Sequence, residues 1–252
     1  MPEQEKIEQI KVIEEVPLGI KKVREFNLDN WNPKTEIGKK VKAGQITGLD
    51  EIINSGQKIF ETEIVDYLLP NLQTELLLIG QSKGKFGGGK RSIWRQTQKK
   101  TSEGNKPKFT TLALVGNKDG YVGIGFGKSK ETMPAREKAI RNAKLNVIKV
   151  KRGCGSWECG CAKNHSIPFK VEGKSSSVSI RLMPAPKGAG LVVEKECQKI
   201  LDFAGIKDVF SKTSKSRSKM GLIKACFSAL KYLSNVKVKH EHIERLGIKW
   251  IN

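Results

Sequence analysis

Residues 108–127 carry the pattern that most restricts how this chain can fold. Two runs, KFTTLALVG and GYVGIGFG, are rich in apolar and aromatic residues, and they are separated by NKDG. An Asp-Gly pair between two such runs is a strong signal for a tight turn that joins antiparallel strands. The sequence therefore predicts a β-hairpin in the middle of the chain.

The segments on either side of the hairpin predict a small α+β unit. TELLLIG, residues 74–80, has the composition of a strand, and residues 131–148 have the periodicity of a helix. On that helix, apolar residues fall on one side and cations on another. The apolar set is Ala139, Ile140, Ala143 and Val147, and the cationic set is Lys138, Arg141 and Lys144. We predict a three-stranded antiparallel sheet backed by one helix.

The second strand of the hairpin has glycine at alternate positions, Gly123, Gly125 and Gly127. This G-x-G-x-G spacing differs from the G-x-G-x-x-G of a dinucleotide site, which lies at a turn from a strand into a helix. Alternating glycines remove the side chains from one face of a strand, so that another backbone can approach closely. We expect that backbone to belong to a nucleic acid.

The net charge indicates a polyanionic partner. The chain has 47 Lys and Arg against 26 Asp and Glu, a net charge of +21. Residues 1–80 hold 10 basic and 14 acidic side chains, so residues 81–252 hold 37 basic and 12 acidic ones. Such a field favours nucleic acid, whose neutralised phosphates release counterions. Aromatic residues make up only 6%, which favours folded RNA or a duplex over stacking on unpaired bases.

Residues 81–108 form the most basic segment. They hold nine basic residues, one acidic residue and five glycines, and we predict a mobile basic loop. Within it, Gly84 to Lys90 fits the G-x4-G-K pattern of a phosphate-binding loop, but Arg91 stands where a hydroxyl should hold magnesium. An NTP-dependent enzyme is therefore a disfavoured alternative to RNA binding.

The parts of the chain before and after this unit differ in character. Residues 1–73 predict an irregular helical extension, with an amphipathic helix at 3–15. Residues 166–235 alternate strand and helix signals, which predicts an α/β layer, and 236–252 form a polar tail. No apolar run approaches the roughly 20 residues that span a bilayer, and no signal peptide is visible. We therefore expect a cytoplasmic protein without membrane contact.

A second candidate site lies in the linker segment 151–165, which holds three of the five cysteines in the chain. Its pattern, C-x4-C-x-C-x3-H, offers four ligands that a compact loop could fold around tetrahedral zinc. We name these residues the Cys/His cluster: Cys154, Cys159, Cys161 and His165. An odd cysteine count fits a reducing compartment better than a disulfide framework. Free thiols are one alternative, and a redox centre is another, although it lacks a C-x-x-C pair.

Several long segments, in this order, resemble one known family. They include WNPKTEIGKKVKAGQI, VGNKDGYVGIGFGKSKE, AIRNAKLNVIKVKRGCGSWEC, HSIPFKVEGKSSSVSIRLMPAPKGAGL and FAGIKDVFSKT, within about residues 31–235. The chain resembles the small-subunit ribosomal protein five family in its archaeal and eukaryotic form, and the archaeal type above all.

The resemblance implies two domains and no catalytic reaction. Residues 74–150 match a double-stranded-RNA-binding-like domain, and residues 166–235 match an α/β domain with a left-handed β-α-β crossover. Family members bind small-subunit rRNA on the cytoplasmic ribosome, near the channel through which mRNA enters and beside the third and fourth small-subunit proteins. They support assembly and decoding accuracy, with no small-molecule substrate and no required cofactor. A structural zinc ion in the linker would therefore be a local feature.

The resemblance also assigns RNA contacts. The RNA-contacting loop of the family matches QKKTSEGNKPKF, which implies this role for Lys99, Lys100, Lys106 and Lys108, and the end of the glycine-rich strand implies it for Lys128. Charge and position add further candidates. The full predicted set is Lys83, Lys85, Lys90, Arg91, Arg95, Lys99, Lys100, Lys106, Lys108, Lys128, Lys138, Arg141, Lys144, Lys151 and Arg152.

Overall fold

The computed structural model of the chain describes residues 31–82, 84, 91–216 and 218–248. The predicted helix at 3–15 and the candidates Lys83, Lys85 and Lys90 lie outside the described residues. Among the helices that are described, none has the length and apolar character needed to cross a membrane.

In the described part of the predicted helical extension, from residue 31 onward, three short helices precede the first sheet. They are α1 (Glu36–Lys42), α2 (Leu49–Asn54) and α3 (Thr62–Leu68). The hydroxyl of Thr35 begins α1 by accepting a hydrogen bond from the amide of Gly38 at 3.1 Å, which satisfies a first-turn amide that has no partner within the helix. Val41, Ile52 and Ile64 are buried in one cluster with residues of the first sheet and its helix. The extension therefore shares the core of that unit.

Within the part of the chain that the structure describes, the first sheet has five strands, two more than predicted. The strands are β1 (Gln73–Leu77), β2 (Arg95–Thr101), β3 (Gly104–Gly116), β4 (Tyr121–Ser129) and β5 (Val147–Lys149). Their order is β1-β3-β4-β5, with β2 also paired to β3, and every pair is antiparallel. The predicted hairpin at the NKDG turn, between β3 and β4, is confirmed.

The two additional strands lack the pattern on which the prediction depended. β2 has the sequence RQTQKKT and is exposed over its first six residues, so no apolar alternation marks it. β5 follows directly after helix α4 (Thr132–Leu145), and its VIK sequence continues the apolar spacing of that helix. The prediction of one mobile loop over residues 81–108 is therefore wrong in its second part, which is a hairpin.

The glycine face of β4 is covered by α4, which corrects the expectation of a nucleic acid there. A β-carbon on Gly125 would overlap the carbonyl oxygen of Ala139, and one on Gly127 would overlap that of Ala135. Glycine on the strand and alanine on the helix thus allow the two backbones to pack directly against each other. The alternating glycines correctly predicted that another backbone approaches β4 closely, but that backbone belongs to helix α4 and not to a nucleic acid.

The second sheet follows the linker and is mixed. Its strands are β6 (Val171–Ser175), β7 (Val178–Pro184), β8 (Leu191–Val192) and β9 (Val209–Lys215), in the order β6-β7-β9-β8. β8 is parallel to β9 and connects to it through α5 (Lys195–Phe203), which is the predicted β-α-β crossover. Helix α6 (Lys219–Asn235) packs on β6 and β7, and α7 (His240–Leu246) lies in the predicted polar tail. The α+β class is confirmed.

One apolar core joins the two sheets. On the face of the first sheet opposite α4, Leu112 and Leu114 lie in a buried cluster with Leu201 of α5. Glu75 and Lys199 form an ion pair across the same junction at 2.6 Å. The β2–β3 hairpin extends beyond this core, because the first five residues of β3 are exposed and its last seven are buried.

Candidate nucleic-acid interface and metal centre

The exposed half of the β2–β3 hairpin presents cations on one side. In an antiparallel pair, residues directly opposite each other place their side chains on the same face of the sheet. The register pairs Lys99 with Lys106 and places Thr110 between Arg95 and Lys128. We name the cations on this side the basic face: Arg95, Lys99, Lys106, Lys108 and Lys128.

The basic face is exposed to solvent and has few internal partners. Among the described residues, only Lys106 of the five forms an ion pair, with Glu103 at 2.9 Å, and both of those side chains are more than half exposed. Lys99 lies directly opposite Lys106, and like charges at opposite positions destabilise a strand pair. The hairpin therefore places two cations directly opposite each other, and Glu103 pairs with only one of them.

An aromatic ring and a further lysine lie beside the basic face, and no sequence pattern predicted either of them. Phe126 lies on the same side of β4 as Lys128 and is 37% exposed. The Nζ atom of Lys224, on α6, is 5.6 Å from the centre of the Phe126 ring, which is a cation–π distance. Because Lys224 comes from the second unit, only the fold places it near the hairpin.

The remaining exposed candidates point in other directions. Lys100 lies on the opposite side of the hairpin from the basic face. Lys138 and Arg141 lie on the outer surface of α4, which covers that opposite side further along the sheet. Arg91 donates a hydrogen bond to the carbonyl of Gly80 at 3.4 Å and is exposed. The predicted set is thus divided between two sides of the sheet.

Lys144 is buried, which corrects the prediction that it faces solvent with Lys138 and Arg141. Its ammonium is 2.6 Å from the carboxylate of Asp66 on α3, and the two side chains are 11% and 13% exposed. Burial raises the pKa of Asp66, while hydrogen bonding and attraction from Lys144 oppose that rise. This cation therefore stabilises the junction of α3 and α4.

Lys151 and Arg152 are also buried and have partners within the protein. Lys151 donates to the carbonyl of Val236, and burial lowers its pKa to about 8. Arg152 binds the carboxylate of Asp119 and donates to the carbonyl of Gly205 at 3.3 Å. Both side chains are less than a tenth exposed, although Arg152 also lines a cleft beside the linker. Their role in RNA binding stays a prediction.

A second group of lysines lines a cleft of about 670 Å³ beside the linker. We name it the linker cleft. Lys118 comes from the turn after β3, Lys163 from the linker, Lys187 from the loop before β8 and Lys207 from the loop before β9. Asp202 lies 3.8 Å from Lys118. Since each lysine comes from a different segment, no run of the sequence could have predicted this cleft.

The Cys/His cluster brings all four predicted ligands together. Its three sulfurs and one ring nitrogen all lie within 4.8 Å of one another. Cys154 and His165 are buried, and Cys159 and Cys161 are partly exposed. Backbone hydrogen bonds from Lys187 and Cys161 lower the pKa of the Cys159 thiol to about 6, whereas burial raises the pKa of Cys154 to about 11. The linker therefore holds a compact set of soft donors.

A buried carboxylate fixes the orientation of the histidine. Nδ1 of His165 is 2.8 Å from Oδ2 of Asp208, and both side chains are less than a tenth exposed. The other oxygen of Asp208 accepts hydrogen bonds from the amides of Gly188 and Gly190, at 3.1 and 2.9 Å. When Nδ1 donates to the carboxylate, the lone pair of Nε2 faces the sulfurs.

Comparisons with known proteins identify the family. The family model for the N-terminal domain of ribosomal protein S5 matches residues 93–151, and the model for its C-terminal domain matches residues 173–243. The small ribosomal subunit protein uS5 of Nanoarchaeum equitans is 53% identical over 88% of this chain and 95% of its own length. The chain belongs to the uS5 family. The uS5 proteins of Methanobrevibacter smithii and Methanocaldococcus jannaschii are each 46% identical, over 89% and 88% of the chain and 99% and 96% of their own lengths.

Membership of the uS5 family settles the broad function. Its members are proteins of the small ribosomal subunit, in the cytoplasm, and rRNA binding is general among them. The relatives are structural ribosomal proteins, so the prediction that the chain is not an enzyme is confirmed, as is the archaeal type. The Cys/His cluster lies between the two ranges that the uS5 family models match.

Proposed function

We propose that this uS5-family protein binds small-subunit rRNA through the basic face of its β2–β3 hairpin. In this role it supports assembly of the subunit and the accuracy of decoding, near the point where mRNA enters. The observation that carries the proposal is the register, which places five exposed cations on one side of a strand pair that extends beyond the core.

The low intrinsic stability of the hairpin favours the binding of an anionic ligand. A two-stranded ribbon without an apolar face is marginally stable in water, and here lysines oppose each other across the strands. Phosphate groups bound along the basic face would relieve that repulsion and release counterions. Phe126 and Lys224 add an exposed ring and a cation at the inner end of the same side.

The other exposed cations of the predicted set would make additional contacts with RNA. Lys100, Lys138, Arg141 and Arg91 are exposed on other surfaces and would meet different RNA segments. The linker cleft lies near the far end of β3 from the hairpin tip, and 13 residues of strand span about 40 Å. Two basic surfaces so far apart fit a folded RNA with more than one helix near the protein.

We infer that the second unit contacts neighbouring proteins, with the third and fourth small-subunit proteins as the proposed partners. The open side of its sheet carries both signs of charge, for example the ion pair between Arg181 and Glu172 at 2.5 Å, which suits a protein surface better than RNA phosphates. Cross-linking of intact small subunits, followed by mass spectrometry, tests these contacts with neighbouring proteins.

We propose that the chain is divided into the units 1–73, 74–150, 151–165, 166–235 and 236–252.

We propose that the RNA contact itself requires no cofactor, because lysine and arginine bind phosphate directly. A structural zinc ion at the Cys/His cluster would therefore act on the fold of the linker and not on the chemistry of RNA binding.

Removing three cations of the basic face tests the proposal. We expect Lys99→Ala, Lys106→Ala and Lys108→Ala, combined in one protein, to weaken binding to a small-subunit rRNA transcript of Methanocaldococcus jannaschii. The slope of log affinity against log salt should become shallower by about 2 to 3, since each lost phosphate contact removes about 0.7 to 0.9. Filter binding at four salt concentrations measures both quantities.

A triple variant with the same charge change serves as the control. Lys174, Lys212 and Lys231 are exposed lysines of the second unit, and their combined replacement by alanine should leave the slope nearly unchanged. Equal slopes for the two triple variants would show that net charge alone drives binding and would overturn the assignment to the basic face.

A further inference from the structure

We propose that the Cys/His cluster binds one structural Zn²⁺ and that Asp208 is the outer carboxylate that positions His165. The proposal goes beyond RNA binding and does not depend on it. Its basis is the geometry of the linker, which the two uS5 family models do not cover.

The spacing of the donor atoms fits a tetrahedral ion. With Zn–S bonds of about 2.3 Å and Zn–N bonds of about 2.0 Å, neighbouring ligand atoms lie roughly 3.5 to 3.8 Å apart. The sulfur of Cys159 is 3.8 Å from Nε2 of His165, and no pair of donor atoms in the cluster is more than 4.8 Å apart. The loop therefore needs to contract by only about 1 Å to close around an ion.

The type of donor selects the metal. Three thiolates and one imidazole form a Cys₃His set, which is common in structural zinc sites and too soft for magnesium or calcium. Four protein ligands leave no open position for a catalytic water. A disulfide would use only two of the three sulfurs and leave the third thiol free, so it does not account for the convergence of all four groups.

Asp208 provides an observation independent of the ligands. A zinc-bound histidine usually donates its other ring N–H to a carboxylate or carbonyl, which fixes the tautomer. His165 does so at 2.8 Å, and Asp208 is in turn held by the amides of Gly188 and Gly190. The histidine is thus already oriented with the nitrogen that would bind metal directed at the sulfurs.

The linker has no large apolar side chain in its interior to hold its shape. A bridge between Gly153 and Ser166 closes the base of the loop, with backbone hydrogen bonds of 2.9 and 3.0 Å. Beyond this bridge the one large apolar side chain, Trp157, is 93% exposed, so hydrophobic burial contributes little. A metal ion would replace the missing core, as it does in other small domains.

The site also connects segments that are distant in the sequence. The amide of Cys154 donates to the carbonyl of Leu246, at the end of α7, at 2.8 Å. Asp208 joins the same site to the loop before β8 through Gly188 and Gly190. Zinc would therefore fasten the linker, this loop and the C-terminal helix to one another.

Metal content is the first test. The full chain is purified with reductant and without chelator, and zinc is measured by elemental mass spectrometry. We expect about one zinc per chain, and about none after Cys161→Ser. The control is Cys226→Ala, which changes a buried cysteine of α6 outside the cluster and should retain the metal. A wild-type protein that holds no zinc and takes up none from added zinc chloride would overturn the proposal.

The role of Asp208 requires a readout that stability alone would not move. In Asp208→Asn, the amide oxygen can still accept from the two glycines, but the NH₂ group would donate to Nδ1 and place the histidine proton on Nε2. We expect zinc affinity, measured by competition with a chelator, to fall by about 10- to 100-fold. An unchanged affinity would show that Asp208 does not position the histidine.

If a cysteine variant fails to fold, cobalt substitution and hydrogen exchange on the wild-type protein still test whether the cluster binds a metal. Co²⁺ bound to wild-type protein should give the intense visible bands of a tetrahedral thiolate site, and a weak octahedral spectrum would contradict the assignment. Removing metal from the wild type should increase amide exchange in residues 154–165 and α7, while β3 and β4 stay protected. Identical exchange with and without metal would refute the structural role.

Discussion

The exposed half of the β2–β3 hairpin and the region around α4 and the linker are both rich in cations, yet the structure uses those cations in opposite ways. On the hairpin, lysines lie on an open face, with Lys99 directly opposite Lys106. In the second region, Lys144, Lys151 and Arg152 are buried and bind groups within the protein.

The difference shows that a basic residue does not reveal its role through its charge alone. A buried cation with a carboxylate partner supports the fold, and its loss is felt as lost stability. An exposed cation beside another cation costs stability and is available to an external anion. Each group therefore predicts a different phenotype, and substitutions can separate them.

The largest effect on stability is expected at Lys144. Lys144→Met would leave the carboxylate of Asp66 buried without its cation, and we expect the free energy of unfolding to fall by about 3 to 5 kcal/mol. Urea denaturation measures the change. Lys138→Met, at an exposed position of the same helix, should stay within about 0.5 kcal/mol. Similar losses for both variants would remove the distinction between buried and exposed cations.

A smaller loss is expected at Arg152. Arg152→Met removes the contacts with Asp119 and Gly205, but the side chain of Asp119 is 62% exposed and can be hydrated instead. We expect a loss of about 2 to 3 kcal/mol by the same denaturation assay, in the range of hydrogen bonds to charged groups. Asp119→Asn keeps an acceptor oxygen and should cost less than half as much. Weakened rRNA binding at unchanged stability would instead place Arg152 on the RNA surface.

Lys151 should give the protein a characteristic pH dependence. Its pKa is about 8 in the folded protein and about 10.4 in the unfolded chain. Above pH 8 the unfolded state binds more protons than the folded state, so the free energy of unfolding rises with pH. Between pH 8 and about pH 9.5, we expect wild type to gain about 1 to 2 kcal/mol relative to Lys151→Met. Parallel curves for the two proteins would contradict this assignment.

The smallest effect should have opposite signs for stability and for binding. Lys99→Thr removes the like charge opposite Lys106, and we expect stability to rise by about 0.3 kcal/mol. The same change should reduce the salt slope of rRNA binding by about 0.7 to 0.9. Lys100 lies opposite Asn105 on the other side of the hairpin. Lys100→Thr therefore relieves no charge repulsion and should bring no gain in stability from that cause. A stability gain in both variants would point to strand propensity alone.

Much of the fold could be predicted because its elements carry apolar periodicity. The hairpin at NKDG, helix α4 and the helices before the first sheet all have this signal. β2 does not, since its stability comes from backbone pairing with β3 and not from burial. The glycines of β4 did signal close approach, but a pattern within one strand cannot say which backbone approaches.

Prediction of the candidate sites is limited in the same way, because a local pattern does not reveal contacts between distant segments. Cys154 to His165 are close in sequence, so their convergence could be predicted from spacing. The burial of Lys144 could not, because it depends on Asp66, which lies 78 positions earlier. Asp208, Lys224 and the linker cleft likewise need contacts between distant segments. Local sequence predicts local clusters, and long-range packing decides the rest.

The core shared by the two sheets has a consequence for how this protein is made. Leu112 and Leu114 on β3 are covered by α5, which is synthesised about 85 residues later. At about 5 to 20 residues per second, that face of the sheet stays uncovered for roughly 4 to 17 seconds during translation. The nascent chain therefore displays an apolar strand surface before its cover exists, which makes this stage the one most open to aggregation and to chaperone binding.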